Sequence, residues 1–176
     1  MHVTLFMVQT INGIIARDDY EEDFISEDNW TTLKKLVEEA GGFIIGRKTY
    51  EIVKKWKDLS FDNFKAIKII VSKNKNIKYN KQYILAGSPE EALRVAKASG
   101  LSKILLIGGS TLNTSFIKKK LVDKIIINIE PYVLGKGIRI FSEENFESKL
   151  KLLMMKKLKS GIIQLHYKII RHNACV

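Results

Sequence analysis

Two short stretches of the sequence place glycine beside hydroxyl and basic residues directly after an apolar run. One is Gly46-Arg47-Lys48-Thr49, and the other comprises Gly108, Gly109, Ser110, Thr111 and Leu112. Glycine lets the backbone approach a ligand closely, and the free N–H groups of a beginning helix favour anions. Arg47 adds a planar fork that matches phosphate, and Lys48 adds a point charge. Both stretches are therefore candidate phosphate sites, with an ordinary tight turn as the alternative for each.

A third candidate for anion binding follows another apolar run, where Ser72 and Lys73 come after Ile67 to Val71. These two residues could hold a further anion such as an adenosine 2′-phosphate, although an isolated surface lysine is the simpler interpretation. Two glycine-bearing strand exits in one sheet favour a dinucleotide, because a single pyrophosphate could contact both. The second of them is neither a GxGxxG motif nor a Walker loop.

Few side chains are candidates for moving a proton. Glu27 and Asp28 lie in the first turn of a predicted helix, where acids are also favoured simply by the helix dipole. The histidines His2, His166 and His172 have no carboxylate or cysteine at catalytic or ligand spacing. No acid or histidine pair has metal-ligand spacing, so no metal site is predicted.

The totals favour one domain over the 176 residues. No apolar run approaches the roughly 20 residues of a membrane span, and the N-terminus reads as a strand rather than a signal peptide. The single cysteine, Cys175, excludes a disulfide framework within the chain, so we expect a cytoplasmic protein with no membrane partner. The net charge of +11 is typical of a lysine-rich solvated surface, and a nucleic-acid partner is the less favoured alternative.

The elements that must position these residues follow from the apolar pattern. Continuous β-branched runs, typical of strands covered on both faces, occur at Val3 to Val8, Phe43 to Ile45, Ile67 to Val71, Ile104 to Ile107 and Ile125 to Ile129. Helical patterns lie between them, at Ser26 to Ala40, Thr49 to Trp56, Ser88 to Gly100 and Thr111 to Lys120.

The tail of the chain has a different pattern. Lys149 to Lys159 and Ile162 to Ile170 flank Ser160-Gly161, which predicts an antiparallel β-hairpin at one edge of the sheet. Strands that alternate with helices predict an α/β fold, a mostly parallel central sheet with helices on both faces. Ligands of such sheets bind outside the carboxyl ends of the strands, which is where the glycine-bearing stretches fall.

Together these residues resemble a known group of enzymes. A strand followed by GRKTYE (Gly46 to Glu51), with an acid-opened helix before it, is similar to dihydrofolate reductase and its relatives. The later segment GGSTLNTSFIKKKLVDKIIINIEPYVLGKGIRIF (Gly108 to Phe141) resembles the C-terminal reductase domain of the bifunctional deaminase–reductase of riboflavin biosynthesis. The two groups share one fold, a three-layer sandwich, and the resemblance runs from Val3 to Ile170.

The resemblance implies NADPH as the cofactor and assigns residues to it. Arg47 would contact the 2′-phosphate, with Ser72 and Lys73 nearby, and Lys48 and Thr49 would contact the pyrophosphate. The second phosphate loop, whose diglycine peptide is cis in dihydrofolate reductases, is matched by Gly108, Gly109, Ser110, Thr111 and Leu112. The loop that covers the nicotinamide is matched by Asn12, Gly13 and Ile14.

On the substrate side, the resemblance implies that Asp28 holds the heterocycle and aids its protonation, with Asn128 as a polar partner and Glu27 as the alternative acid. The sequence departs from both groups in this half. Thr10 to Gly13 replace the Ser-Leu-Asp-Gly of pyrimidine reductases, and Asp23 to Ser26 replace the Pro-Trp of dihydrofolate reductases. The cofactor half therefore matches better than the substrate half.

Three functions remain open from the sequence. The leading hypothesis is an NADPH-dependent reductase that transfers a hydride to a flat heterocycle, with a dihydrofolate-type pterin as the favoured substrate. The alternative is the aminopyrimidine ribose-phosphate reductase of riboflavin biosynthesis, in which Lys136 or Arg139 would meet the substrate phosphate. The third is a nucleotide- or RNA-binding module without turnover, against which the scattered aromatic residues count. The riboflavin-pathway relatives are dimers, so the resemblance also implies a homodimer.

Overall fold

A computed structural model describes residues 1–56 and 60–171 of the protein, so His172 and Cys175 lie outside the described residues. The strands are β1 (His2–Thr10), β2 (Ile14–Ala16), β3 (Gly42–Gly46), β4 (Ile67–Val71), β5 (Tyr83–Ala86), β6 (Lys103–Leu106), β7 (Lys124–Glu130), β8 (Ile138–Arg139), β9 (Lys149–Lys157) and β10 (Ile163–Ile170). The α-helices are α1 (Asp28–Ala40), α2 (Arg47–Val53), α3 (Pro89–Ala98) and α4 (Ser110–Lys118). Within the described ranges, no helix is long and apolar enough to cross a membrane.

Eight of the strands form one sheet in the spatial order β5-β4-β3-β6-β1-β7-β10-β9, and β2 pairs with β8 separately. From β5 to β7 all neighbouring strands run parallel, whereas β10 is antiparallel to both β7 and β9. The predicted architecture, a mostly parallel sheet closed by an antiparallel hairpin, is confirmed. Because β1 lies between β6 and β7, which come late in the chain, the centre of the sheet joins distant segments.

Helices cover both faces of the sheet, which explains why the central strands are continuously apolar. One core cluster packs α3 and α4 against the sheet and includes Leu5, Leu106 and Phe116. The other packs α1 and α2 against the opposite face and includes Phe43 and Ile45. All five side chains have no exposed surface. The predicted placement of helices on both faces is therefore confirmed.

The start of α1 differs from its prediction. The sequence predicts Ser26 as the N-cap, but the helix begins at Asp28 without a side-chain cap. The Ser26 hydroxyl instead donates a hydrogen bond to Glu130 at 2.7 Å, a partner 104 positions away in the chain. The other end follows the prediction, since Gly41 takes the left-handed conformation and its N–H bonds to the carbonyl of Val37.

Three short strands are not predicted by the sequence pattern. They are β2, β5 and β8, with lengths of 3, 4 and 2 residues, which are too short for a periodicity to be read. The predicted start of α3 is confirmed, because the Ser88 side chain accepts a hydrogen bond from the Glu91 N–H ahead of Pro89. Helices α2 and α4 begin slightly earlier than predicted, so each starts directly at its glycine.

Candidate active site

The two glycine-bearing stretches meet at the carboxyl edge of the sheet. Strands β3 and β6 pair in parallel, so their exits lie side by side, and the Gly46 N–H donates to the Gly108 carbonyl at 2.8 Å. The Thr49 hydroxyl oxygen lies 3.1 Å from the position that a Cβ on Gly109 would occupy. The structure thus brings the two candidate phosphate stretches together, with α2 beginning at one and α4 at the other.

Glycine is needed at this junction for reasons of space. Gly108 has a φ of +84°, and a Cβ on it would lie 3.0 Å from the sulfur of Met7. The Gly108–Gly109 peptide is cis. The bare backbone leaves an open cradle at the start of α4, in which N–H groups can approach an anion.

Hydroxyl groups cluster at the start of α4. The Oγ atoms of Ser110 and Ser142 are 3.3 Å apart, and Ser142 donates to the Thr111 hydroxyl at 3.5 Å. Leu112, by contrast, packs into the core and anchors the helix. Sequence reasoning missed Ser142, because it lies 32 positions beyond Ser110 and no local motif links the two.

The two basic residues considered for a substrate phosphate have different surroundings in the structure. Lys136 pairs with Asp18 at 2.8 Å. Arg139 lines a shallow polar cavity together with Ser110 and Ser142. Of the two, Arg139 is therefore the one that adjoins the second phosphate stretch.

The basic side chains of the first stretch already have partners. Arg47 pairs with Glu51, one helical turn on, at 3.1 Å. The Lys48 ammonium lies 3.8 Å from the centre of the Tyr20 ring and donates a hydrogen bond to the Tyr20 hydroxyl. Both cations are exposed, and exposed ion pairs contribute only about 0–1 kcal/mol, so either can exchange its partner for a phosphate.

The third predicted stretch lies one strand further along the same edge. Gly46 pairs with Val71, so Ser72 follows beside the exit of β3. The Ser72 hydroxyl is buried and bonds within its own turn, accepting from the Asn74 N–H at 3.1 Å and donating to the Asn74 carbonyl at 2.9 Å. Ser72 therefore shapes the turn, whereas Lys73 extends from it into solvent.

The loop after β1 is fastened to a distant loop. The Asn12 side chain donates a hydrogen bond to the Leu134 carbonyl at 2.6 Å, and Gly13 makes the turn with a φ of +85°. Ile14 packs into a small apolar cluster with Leu134. The next residue, Ile15, is the one that lines the neighbouring cleft.

That cleft has a volume of about 360 Å³ and opens between β1, α1 and α2. It reaches Thr49 and Ile107, at the exits of β3 and β6. Its walls are mainly apolar and include Phe6, Val8, Trp30, Leu33, Val53 and Phe61. The ring centroids of Trp30 and Phe61 are 5.6 Å apart. A flat apolar wall of this kind suits a planar heterocycle.

The polar side chains of the cleft are mostly acidic. Glu21, Glu22, Asp23 and Glu27 line it, and in the part of the chain that the structure describes no lysine, arginine or histidine does. Burial raises the pKa of Glu22 to about 7, and the charge of Glu21 adds to the rise. Arg17 binds Asp23 through two nitrogens, at 2.7 and 3.1 Å, and this hydrogen bonding lowers the pKa of Asp23.

The structure does not bring the two residues implied for catalysis together. Asp28 lies outside the cleft lining and accepts a hydrogen bond from the Ser160 hydroxyl at 2.8 Å. Asn128 is fully buried; it donates to Asn29 at 2.7 Å and accepts from Gln164 at 2.9 Å. Neither side chain faces the cleft, so Asn128 has the role of a partner within the core.

Of the two acids left open by the sequence, Glu27 is the one that lines the cleft. Sequence reasoning missed Glu22, which precedes the helix. The only signal in the sequence is its place in a run of acids, and burial, which distinguishes it from its neighbours, cannot be read from that run.

Comparison with known proteins shows the family of the chain. Residues 1–164 match the family model of the RibD C-terminal domain. The Bacillus subtilis protein YwjB is 28% identical over 167 residues, which cover 93% of this chain and 95% of YwjB.

Two solved structures have the same fold. A Shewanella sp. PV-4 protein, named for riboflavin biosynthesis, has a TM-score of 0.80 at 20% identity, covering 97% of this chain and 100% of that one. A Thermotoga maritima diaminohydroxyphosphoribosylaminopyrimidine deaminase/5-amino-6-(5-phosphoribosylamino)uracil reductase has a TM-score of 0.73 at 17% identity. The alignment with it covers 96% of this chain and 56% of that one.

The raised pKa of Glu22 predicts a dependence of stability on pH. The folded state keeps this proton up to a pH of about 7, whereas the unfolded chain releases it near the ordinary value of 4.5. The stability that Glu22 contributes is therefore lost as the pH rises through that window. We expect Glu22→Gln to raise the free energy of unfolding at pH 8 by about 2 kcal/mol, and to change it little below the window.

Urea denaturation at the two pH values measures this difference. Glu38→Gln, on the exposed side of α1, removes the same charge away from the cleft and serves as the control. Equal responses of the two variants to pH would contradict the burial of the Glu22 carboxyl.

Proposed function

Because the chain belongs to the family of RibD C-terminal domains, we propose that it is an NADPH-dependent reductase of an aminopyrimidine that carries a ribose phosphate. The family supports an oxidoreductase, and the name of the Thermotoga neighbour supports the substrate class. The observation that carries the proposal is the junction of β3 and β6, where the Gly46 N–H meets the Gly108 carbonyl at 2.8 Å. This bare-backbone cradle opens beside an apolar cleft that suits a flat ring.

The residues at this edge fit a dinucleotide, whose reduced nicotinamide would supply a hydride when bound. The fit rests on the space kept open by glycine, since a Cβ on Gly109 would crowd the Thr49 hydroxyl at 3.1 Å. We assign the pyrophosphate to Lys48, Thr49, Ser110, Thr111 and the backbone of Gly46, Gly108 and Gly109. We assign the 2′-phosphate to Arg47 and Lys73.

The chain itself contributes orientation and exclusion of water. Trp30 and Phe61 give the heterocycle an aromatic wall, and Ile15 lines the cleft beside β1. We assign the covering of the nicotinamide to the neighbouring loop of Asn12, Gly13 and Ile14. A proton must reach the substrate when a hydride does, and we assign its delivery to Glu27, which lines the cleft.

The comparisons favour the pyrimidine over the dihydrofolate-type pterin that the sequence analysis puts first. The cofactor half of the two hypotheses is the same, so the change concerns only the ring that receives the hydride. A nucleotide- or RNA-binding module without turnover loses support, because the matching family is one of reductases.

The assignment of Arg47 predicts a preference between two cofactors. We expect Arg47→Ala to weaken NADPH binding about tenfold and to leave NADH binding nearly unchanged, because a hydrogen bond between charged groups contributes about 1.5 kcal/mol. Isothermal titration with each cofactor measures the effect, and Arg94→Ala, exposed on α3, is the control. An equal loss of affinity for NADPH and NADH would show that Arg47 does not contact the 2′-phosphate. A wild-type chain that binds no NADPH would refute the proposed function.

The substrate class is tested by turnover. We expect faster oxidation of NADPH with 5-amino-6-(5-phosphoribosylamino)uracil than with dihydrofolate at equal concentration, followed by the absorbance of NADPH. The physical reason is that Arg139, beside Ser110 and Ser142, offers a cation to the ribose phosphate, which dihydrofolate lacks. Faster oxidation of NADPH with dihydrofolate than with the pyrimidine would instead indicate a pterin reductase.

We also propose that a second copy of the chain covers β9. All nine residues of this edge strand are exposed. Leu152, Leu153 and Met155 expose 51%, 53% and 68% of their surface. An uncovered edge strand with apolar side chains favours association, and a homodimer would bury them.

This dimer predicts an effect of charge on β9. We expect the double variant Leu153→Lys with Met155→Lys to be monomeric, because two added charges cannot be buried in a symmetric interface. Light scattering after gel filtration gives the mass. Val133→Lys, which replaces an apolar side chain that is 65% exposed elsewhere, should remain dimeric. A monomeric wild-type chain would exclude the dimer.

A further inference from the structure

The charged side chains that line the mainly apolar cleft are acidic, although the protein as a whole is strongly basic. The chain carries 30 lysines and arginines against 19 aspartates and glutamates. Four carboxylates nevertheless line the cleft, and no cationic side chain from the described ranges does. A ligand in the cleft therefore meets carboxylates and aromatic rings, and the cations of residues 1–56 and 60–171 lie outside its lining.

Glu22 differs from the acids around it. Asp23 is held by Arg17, whereas the Glu22 carboxylate has neither an ion-pair partner nor a hydrogen-bond donor within residues 1–56 and 60–171. Its backbone is fixed on both sides. The Arg17 N–H donates to the Glu21 carbonyl at 2.9 Å, and the Ile25 N–H donates to the Glu22 carbonyl at 3.0 Å. The cleft wall thus holds a half-buried carboxyl group in place, and no described side chain donates a hydrogen bond to it.

We propose that Glu22 determines substrate specificity: its carboxylate accepts hydrogen bonds from the N–H groups of the heterocycle and keeps anionic rings out of the cleft. This inference rests on the proposed function only in taking the cleft as the substrate site. The ring that enters is neutral and bears N–H groups. A phosphate attached to it lies outside the cleft, whose described lining offers no cation.

The physical reason is the state of the carboxylate before a ligand arrives. An ionised carboxylate in an apolar site is unfavourable until donors surround it, and N–H groups that bond to an ionised acceptor form strong hydrogen bonds. Trp30 and Phe61, whose ring planes are inclined by 31°, give a heterocycle an aromatic wall in the same cleft that Glu22 lines. A ring with its own carboxylate would place a like charge beside the ionised Glu22, which is repulsive at low dielectric.

Binding of two small pyrimidines in the absence of cofactor tests the inference. The probes are 2,4-diaminopyrimidine, which is rich in N–H groups, and orotate, which is a pyrimidine carboxylate. Trp30 and Trp56 both line the cleft, so quenching of their fluorescence reports binding. At pH 8 the Glu22 carboxyl, with its pKa of about 7, is ionised.

We expect the wild-type chain to bind the diamine more tightly than orotate. Glu22→Gln should raise the Kd of the diamine at least about tenfold, as expected for a lost charged hydrogen bond, and lower the Kd of orotate. Glu22→Asp keeps a carboxylate and should retain the order of preference. Glu38→Gln removes an equal charge from the exposed side of α1 and should change neither constant.

The inference is overturned if Glu22→Gln binds the diamine as tightly as the wild type, if orotate binds better than the diamine, or if neither probe binds. Any of these results, combined with intact NADPH binding, would leave the proposed function standing. Conversely, a selective effect of Glu22 in a chain that binds no NADPH would refute the proposed function and keep this inference.

Discussion

Parallel pairing of β3 with β6 is the constraint on which the candidate site depends. It places Gly46 and Gly108 side by side, joined by a hydrogen bond of 2.8 Å, at the edge of the sheet where each strand is followed by a helix. The unpaired N–H groups at the start of α4 and the hydroxyls of Thr49 and Ser110 consequently share one space. Since β1 pairs with β6 on its other side, the apolar cleft beside β1 opens next to that space. The order of the strands alone thus makes the two strand exits and the cleft neighbours, independently of their side chains.

A buried polar network fixes the acidic side of the cleft in the same way. Glu130, at the end of β7, accepts hydrogen bonds from the Ser26 N–H at 2.9 Å, from the Ser26 hydroxyl and from the Asn29 side chain. Asn29 in turn accepts from Asn128, which accepts from Gln164 on β10. Buried polar groups are stable only when they are satisfied, so this network holds the start of α1 in one position against the sheet. Asn128 is fully buried within this network and links α1 to β10 through Asn29 and Gln164.

Features built from backbone could be predicted from the sequence, whereas those built from distant side chains could not. The glycines at Gly46 and Gly108 follow apolar runs directly, so a local pattern reveals both strand exits and the turn into each helix. The orientation of Asp28 depends on Ser160, which is 132 positions away, and the start of α1 depends on Glu130. Such contacts leave no periodic signal. The two glycine-bearing strand exits could accordingly be predicted, and the acids that line the cleft could not.

The same division explains how a basic chain can have an acidic cleft. Phosphates are bound by bare N–H groups and cations, which the strand exits supply through Arg47, Lys48 and Lys73, whereas the N–H edge of a ring requires an acceptor such as Glu22. The positive surface attracts an anion over long distances, but salt screens that attraction beyond about 8–10 Å. Inside the cleft the local carboxylates decide what can lie against the aromatic wall. A substrate that combines a phosphate with a neutral, amino-substituted ring therefore avoids repulsion only when its phosphate stays outside the cleft and its ring lies toward Glu22.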